Sequence, residues 1–501
     1  MRQQDLYLNG ELSPAERRDV QRRAKNGELN RIAPGVFTPL AEGAWASLLQ
    51  REKLRFLAHR FPQSVVGYRT AFDGLANRDG VIFLTYTYDR VYRYPGLTVA
   101  LIKGAGAAPQ DQPISGRALF FPSVGRLMLE NLAIDRHPLR RCAPRAEVEK
   151  RLATMCEARG EAYLNVLREE ARAVAAPLGL EREFARLDLL SGAILGSRPD
   201  AGLRDPAARA AARGLPYDSA RIALFDHLVA DLRTRTFVPS GERASSIAAR
   251  EHMGFLETYF SNFIEGTEFE IAEARDIVIN GKVAAKRSKD SHDVIGVYQQ
   301  IVHQGWRSQT LSTSPQVLEQ LRARHAEMLK ERPEVEPGEF KSRMNYAGNT
   351  AFVAPERVRG TLVEGARRLA DLAPGLPRAL LAMFLVAEVH PFLDGNGRLA
   401  RLVMNAELSA AGECRIIVPT LAREETLDCL RQVTRRGEAD GFIRYMVKLQ
   451  QWSASFDYEN LDTAIDGMRD CNAFERSRAQ FKLLFPGKTV QRRPVKRKEK
   501  K

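Results

Sequence analysis

The chain has 501 residues, 44% of them hydrophobic and 28% charged, which is ordinary globular usage and excludes a disordered chain. Lys and Arg total 76 against 62 Asp and Glu, a formal net charge of +14 that allows an anionic partner without locating one. No apolar run reaches the roughly 20 residues of a spanning helix, the polar start Met1-Arg2-Gln3-Gln4-Asp5 has no signal-peptide apolar region, and the five cysteines are widely spaced with no C-x-x-C. These features predict a cytoplasmic protein with no membrane partner, no zinc site and no disulfide framework. At roughly 100–200 residues per domain the length predicts several domains.

In chain order, Ser13-Pro14-Ala15-Glu16 has the composition of a capping box, with proline at the first helical position, and predicts a helix running to Lys25 and stopping at Asn26-Gly27. Short strands are expected on either side of Pro34-Gly35, followed by a helix over Trp45–Arg60. Residues 64–125 read as β-rich, with strand-like runs at Val81–Thr85 and Leu97–Ile102. The alternation Tyr86-Tyr88-Arg90-Tyr92-Tyr94 suits a packed or exposed strand face, with base stacking as the alternative. Helical spacing returns over 146–178, and the Ala/Arg-rich stretch 199–214 reads as a linker or surface helix. From about 216 to 457 the pattern is helical, broken at Pro333–Gly338 and by a short extended piece ending at Pro355. The last 14 residues, Lys488 to Lys501, hold eight basic side chains against Glu499, which is half of the net charge in a low-complexity tail expected to be disordered.

Residues 376–389 (LPRALLAMFLVAEV) are apolar nearly all round and predict a buried helix. It runs into His390-Pro391-Phe392-Leu393-Asp394-Gly395-Asn396-Gly397-Arg398, and a second helical pattern follows to Ala411. Gly395, Asn396 and Gly397 tolerate positive φ, so their amides can converge into an anion-binding nest, and the next helix adds its positive dipole end. Arg398 and Arg401, three residues apart, share one helix face and suit a phosphate clamp. Asp394 is a hard oxygen ligand suited to Mg²⁺ bridging phosphates, and His390 has the basicity for general-base work near neutral pH. Together these residues describe nucleotidyl or phosphoryl transfer to a hydroxyl.

The stretch resembles the Fic family, whose motif H-x-F-x-[D/E]-G-N-G-R-x-x-R is matched at His390, Phe392, Asp394, Gly395, Asn396, Gly397, Arg398 and Arg401. Phe352-Val353-Ala354-Pro355-Glu356 is similar to the segment after the family's target-binding flap. The resemblance covers roughly 250–450. It implies transfer of AMP from ATP to a Ser, Thr or Tyr hydroxyl of a protein. In that scheme His390 is the base, Asp394 holds Mg²⁺, the loop amides and Arg398 hold phosphates, and a flap at about Lys341–Thr350 pairs with the target as an added strand. Ser261-Asn262-Phe263-Ile264-Glu265-Gly266 resembles the family's inhibitory motif, [S/T]-x-x-x-E-[G/N]. It implies that Glu265 pairs with Arg401 and withdraws it from the γ-phosphate, with Ser261 and Gly266 beginning and ending the turn. A tyrosine pair and an asparagine that enclose adenine in many Fic proteins are replaced here by Leu427-Asp428 and Arg435, which leaves the base identity more open than the phosphate chemistry.

Residues 18–38 (RDVQRRAKNGELNRIAPGVF) resemble the winged-helix region of AbiEi-type antitoxins, and Val66–Leu75 continues the likeness. This implies DNA contacts from Arg22, Arg23, Lys25 and Arg31, although there is little room before Ser13 for the leading helices of a full helix-turn-helix. The expected architecture is multidomain: a mainly α, Fic-type helical core with a short β-hairpin flap, preceded by an α+β winged-helix, antitoxin-like module. The parts are a truncated winged-helix-like segment (1–40), an α+β domain (41–195), a helical linker (196–245), the Fic core with its inhibitory helix (246–457), and a C-terminal helix with a basic tail (458–501). The expected function is protein adenylylation with ATP and Mg²⁺ on a hydroxyl-bearing protein partner, in a chain that forms a monomer or a homo-oligomer. The alternatives are a DNA-binding regulator whose core senses nucleotide and, as a lesser reading, other Fic chemistry such as AMP removal or the transfer of UMP or phosphate.

Overall fold

The computed structural model describes residues 4–75, 80–114, 118–198, 202–282, 287–347 and 350–487; the basic tail expected from Lys488 lies outside these residues. The chain divides into two compact units, Met1–Gly214 and Leu215–Lys501. No helix among the described residues is long and apolar enough to cross a membrane, and all five cysteines are free.

The first unit opens with β1 (Tyr7–Leu8), α1 (Pro14–Lys25), β2 (Asn30–Ala33) and β3 (Val36–Thr38). The expected capping box is present: Ser13 Oγ accepts from the Glu16 amide and the Glu16 carboxylate accepts from the Ser13 amide. The strands form an antiparallel sheet in the order β1-β3-β2, and Val20 of α1 packs with Tyr7, Leu12, Leu29 and Phe37. β1 was not expected, because two residues carry no readable periodicity. Only this strand and one 3₁₀ turn, Asn9–Glu11, precede α1 among the described residues.

After α2 (Trp45–Arg51) and α3 (Lys53–Arg60) come β4 (Ser64–Val66), α4 (Tyr68–Phe72), β5 (Val81–Tyr86), β6 (Arg90–Tyr94), β7 (Leu97–Lys103), β8 (Gln112–Pro113) and β9 (Leu119–Phe121). These six strands make a mixed sheet, β6-β7-β5-β4-β9-β8, in which β5/β7 and β4/β9 are parallel. The single helix expected over Trp45–Arg60 breaks at Glu52, and Leu48, Leu49, Phe56 and Leu57 are all buried. The tyrosines around β6 pack chiefly inward: Tyr86 and Tyr92 lie against Phe61 and Tyr94 against Phe56, leaving Tyr88 as the exposed one. Helices α5 (Val124–Asn131), α6 (Arg145–Leu178), α7 (Glu181–Ile194) and α8 (Pro206–Ala212) complete the unit. α6 is interrupted at Gly160, whose φ of 82° is outside the helical region.

The second unit is helical. It contains α9 (Ser219–Arg233), α10 (Ile247–Phe263), α11 (Ile271–Asn280), α12 (Ser288–Val302), α13 (Gln304–Arg307), α14 (Val317–Met328), α15 (Pro355–Arg367), α16 (Leu376–Val389), α17 (Asn396–Ala410), α18 (Arg423–Arg436), α19 (Asp440–Ser453) and α20 (Leu461–Asp470). A hairpin of β10 (Tyr346–Ala347) and β11 (Thr350–Ala351) precedes α15. The stretch 196–245, expected as a linker, is divided instead: α8 belongs to the first unit, while α9 buries Ile222, Phe225, Leu228 and Leu232 in the core of the second. At the centre of that core, α16 is buried on nearly every side, as its unbroken apolar sequence requires, and packs along α17. Gly296 lets α12 approach α14 closely, since a Cβ there would lie 2.3 Å from the Met328 carbonyl oxygen.

Candidate active site

α16 ends at His390, whose φ of 51° is left-handed and turns the chain out of the helix. For a residue with a Cβ this conformation costs about 1–2 kcal/mol, so surrounding contacts must hold it. The imidazole stacks on Phe352 with ring centroids 3.9 Å apart, and Nδ1 lies 3.4 Å from the Ala387 carbonyl. Burial pushes the His390 pKa down to about 4, with Lys341 adding to the effect and the Ala387 carbonyl opposing it. The ring is therefore neutral at physiological pH and can accept a proton.

The loop that follows is held from both sides. The Phe392 ring is buried between His325, stacked at 3.8 Å, and Phe340 at 5.2 Å. Asn396 closes the loop on itself: its Oδ1 accepts from the Phe392 amide at 2.9 Å and its Nδ2 donates to the Phe392 carbonyl at 2.8 Å. His325 Nδ1 accepts from the Gly338 amide, which leaves Nε2 to donate to the Asp394 carbonyl at 3.0 Å. Asp394 Oδ1 accepts from the Gly395 amide at 2.7 Å, while Oδ2 stays 3.6 Å from Arg398 and 3.7 Å from Arg332. The Asp394 side chain is half-exposed and keeps coordinating capacity. Gly395, with φ 76°, starts α17, whose first amides have no helical carbonyl to donate to.

The two motif arginines separate. Arg398 turns inward, with Nη1 2.6 Å from Asp293, so the expected shared clamp is not formed by its side chain here. Arg401 reaches the pocket, but its guanidinium is taken by Ser261 Oγ and the Ser261 carbonyl, both at 2.9 Å, and by Glu265 Oε1 at 2.8 Å. Ser261 thus sits in the last turn of α10 and holds Arg401, rather than beginning the turn as expected. Gly266, with φ 96°, ends it. Burial would raise the Glu265 carboxyl, but Arg401, Arg398 and Arg423 together hold it below the usual carboxylate value. The carboxylate lies over the start of α17, and a Cβ on Gly397 would come 2.2 Å from Glu265 Oε1. Glu265 therefore occupies the place where the helix end and Arg401 offer positive charge to an anion.

These groups line a cavity of about 220 Å³. The lining includes His390, Glu265, Gly397 and Arg401, the apolar Phe384, Ala387, Leu427 and Leu430, and Glu388 and Thr434. Ala347, Thr350 and Phe352 bring the hairpin to the same cavity. The hairpin's root is fixed to the loop: Lys341 Nζ donates to Asn345 Oδ1, and Asn345 Nδ2 donates to the Phe392 carbonyl at 3.0 Å. Of the residues expected at the base end, Leu427 lines the cavity, Asp428 pairs with Arg431 and Arg478, and Arg435 lies 3.4 Å from Thr350 Oγ1.

Sequence reading missed His325, Asp293, Arg423 and Glu388. Arg423 donates from Nε to the Ile264 carbonyl at 2.7 Å and so fastens the end of α10. Only Glu388 carried a local signal, as the lone acid in an apolar helix. The expected DNA contacts all lie in the first unit. Arg22 pairs with Asp19, Arg23 pairs with Glu28 and lies over the Tyr7 ring, and Lys25 and Arg31 are exposed.

Residues 314–408 match the model of the Fic/DOC family. Among curated relatives, the protein adenylyltransferase fic-1 of Caenorhabditis briggsae is 29% identical over 199 residues, which is 39% of either chain. The fic-1 of Caenorhabditis elegans is 28% identical over the same length. The chain therefore spans about two-fifths of the length of these relatives. Among solved structures, a fragment of Fic-1 from C. elegans is 21% identical, covers 62% of this chain and 87% of its own, and has a TM-score of 0.36.

The lowered pKa of His390 has a direct readout. An NMR titration of the free protein places its imidazole midpoint near 4, because burial disfavours the charged form. A midpoint near 6.5, the ordinary value, contradicts the buried, neutral base.

Proposed function

We propose that the chain is a protein adenylyltransferase that moves AMP from ATP to a Ser, Thr or Tyr hydroxyl of a protein target and is restrained by Glu265. The observation that carries the reading is one cavity in which a neutral histidine, an amide-rich helix start and an arginine held by an internal glutamate converge. The Fic motif and the adenylyltransferase activity for which the relatives are named support the same chemistry.

His390 takes the proton of the incoming hydroxyl, whose oxygen bonds to the α-phosphorus while the bond to pyrophosphate breaks. The first amides of α17 and Arg401 would neutralise the charge on the phosphates once Glu265 withdraws. Asp394 fits a Mg²⁺ ion, since it is a half-exposed carboxylate beside a phosphate site whose Oδ2 has only two long contacts, with Arg398 and Arg332. That ion would supply charge neutralisation between phosphates. The β10–β11 hairpin, with Tyr346 exposed, would add a target strand beside His390.

The first unit supports a separate, lesser reading. We infer a winged-helix-like, antitoxin-type module from the capped basic helix and the β2–β3 hairpin, with Lys25 and Arg31 free to meet phosphates. In this reading the module binds duplex DNA at low salt and releases it as salt rises. A mobility-shift assay across a salt series checks it, and no shift at the lowest salt removes DNA from the account.

For the transfer reaction, wild type and Glu265→Gly are incubated with labelled ATP and lysate. The variant labels protein at least about tenfold more strongly, the shift expected when ~1.4 kcal/mol of competing interaction is lost. Mass spectrometry finds AMP on a hydroxyl side chain, and adding His390→Ala abolishes the label. Equal labelling by wild type and variant contradicts the restraint; label that survives His390→Ala contradicts the base.

A further inference from the structure

Glu388 sits two residues before His390 and lines the cavity although its side chain is almost wholly buried. A buried carboxylate on an apolar helix is costly unless it is paired or bound. Each of its oxygens has one partner. Oε2 accepts a hydrogen bond from Thr434 Oγ1 at 2.6 Å. Oε1 is paired with Arg221 Nη1 at 2.7 Å. Arg221 is held from its other nitrogen, which donates to the Ala351 carbonyl of β11 at 2.6 Å. Glu388 is thus fixed in place by Arg221 and Thr434, and since a carboxylate has about four acceptor positions, these two partners leave others open toward the cavity.

Its place in the cavity assigns those positions a use. α18 lines the cavity with Arg423, Thr426, Leu427, Leu430, Arg431 and Thr434, one face of a helix. From Arg423, fastened at the Glu265 end, to Thr434 is about 16 Å at 1.5 Å per residue. The walls between, from Phe384, Ala387, Leu427 and Leu430, suit the faces of a flat ring. A nucleotide with its phosphates at Arg401 and the start of α17 would put its base between these walls and the base edge against Glu388. An ionised carboxylate only accepts hydrogen bonds. It rewards an exocyclic amine at that edge and opposes a carbonyl oxygen, because two acceptors then face each other without water.

We propose that Glu388, positioned by Thr434 and Arg221, reads the nucleobase in this protein and selects a 6-amino purine over a 6-oxo purine. The inference rests on the adenylyltransferase reading, which needs a nucleotide here but leaves unassigned the residue that chooses the base.

The test compares ATP with inosine triphosphate, which differs at the 6-position, by equilibrium binding at pH 8 in the full chain. The Glu265→Gly background leaves the phosphate site open. The parent binds ATP at least about tenfold more tightly than inosine triphosphate, in line with a site that leaves a buried polar group unpaired by the wrong partner. Glu388→Gln can turn an amide N–H toward a carbonyl, so it narrows the preference to under about threefold, mainly by strengthening inosine triphosphate. Thermal unfolding of the variant checks that it is folded. If it is not, Thr434→Val, which removes the hydroxyl that orients the carboxylate, lowers the ratio in the same direction. Equal binding of the two nucleotides by the parent overturns the inference, as does a preference that neither variant changes. If ATP is still bound and transferred in those cases, the adenylyltransferase reading stands. If neither nucleotide binds, both fall.

Discussion

Arg401 reaches the candidate phosphate site from the first turns of α17, and its guanidinium is occupied by the end of α10. Two bonds go to Ser261 and one to Glu265. A partly exposed ion pair alone contributes little, at most about 1 kcal/mol. Here it does not act alone. Arg423 holds the Ile264 carbonyl from the opposite side, so the turn carrying Glu265 is fastened at two points. Gly397 has no side chain to keep the carboxylate off the helix start. The negative charge thus lies beside Arg401 and the α17 amides, so in the proposed function a nucleotide would have to displace it.

Everything that would act on a substrate is held before one arrives. Phe392 is stacked between His325 and Phe340, Asn396 clamps the loop through both Phe392 backbone groups, and Phe352 fixes the His390 ring. The root of the hairpin is bonded to the same loop through Asn345. A site assembled this way loses little energy to reorganisation during reaction, which is where pre-placed dipoles and bases contribute most. The one large rearrangement the geometry calls for is the departure of Glu265.

The loop from His390 to Arg401 was legible in the sequence because its residue types are local. His390, Asp394, the two glycines and the arginines lie within twelve consecutive positions, and their residue types limit what the segment can do. The capping box at Ser13 and the buried α16 were readable for the same reason. The inward turn of Arg398 was not, since its partner Asp293 lies 105 residues earlier. Nor was the role of His325, which looks like any core histidine until Phe392 is placed against it. The Glu52 break in the expected Trp45–Arg60 helix and the division of 196–245 between two units depend on which faces find a core, and one chain's periodicity does not state that.

If Glu265 competes with the nucleotide for Arg401, the affinity for ATP depends on it. Titration calorimetry of ATP with Mg²⁺ into wild type and Glu265→Gly, at one salt concentration, compares the pocket with and without the carboxylate. The account predicts binding at least about tenfold tighter in the variant, a difference of ~1.4 kcal/mol. Equal affinities would mean that the Glu265–Arg401 pair does not stand in the nucleotide's way.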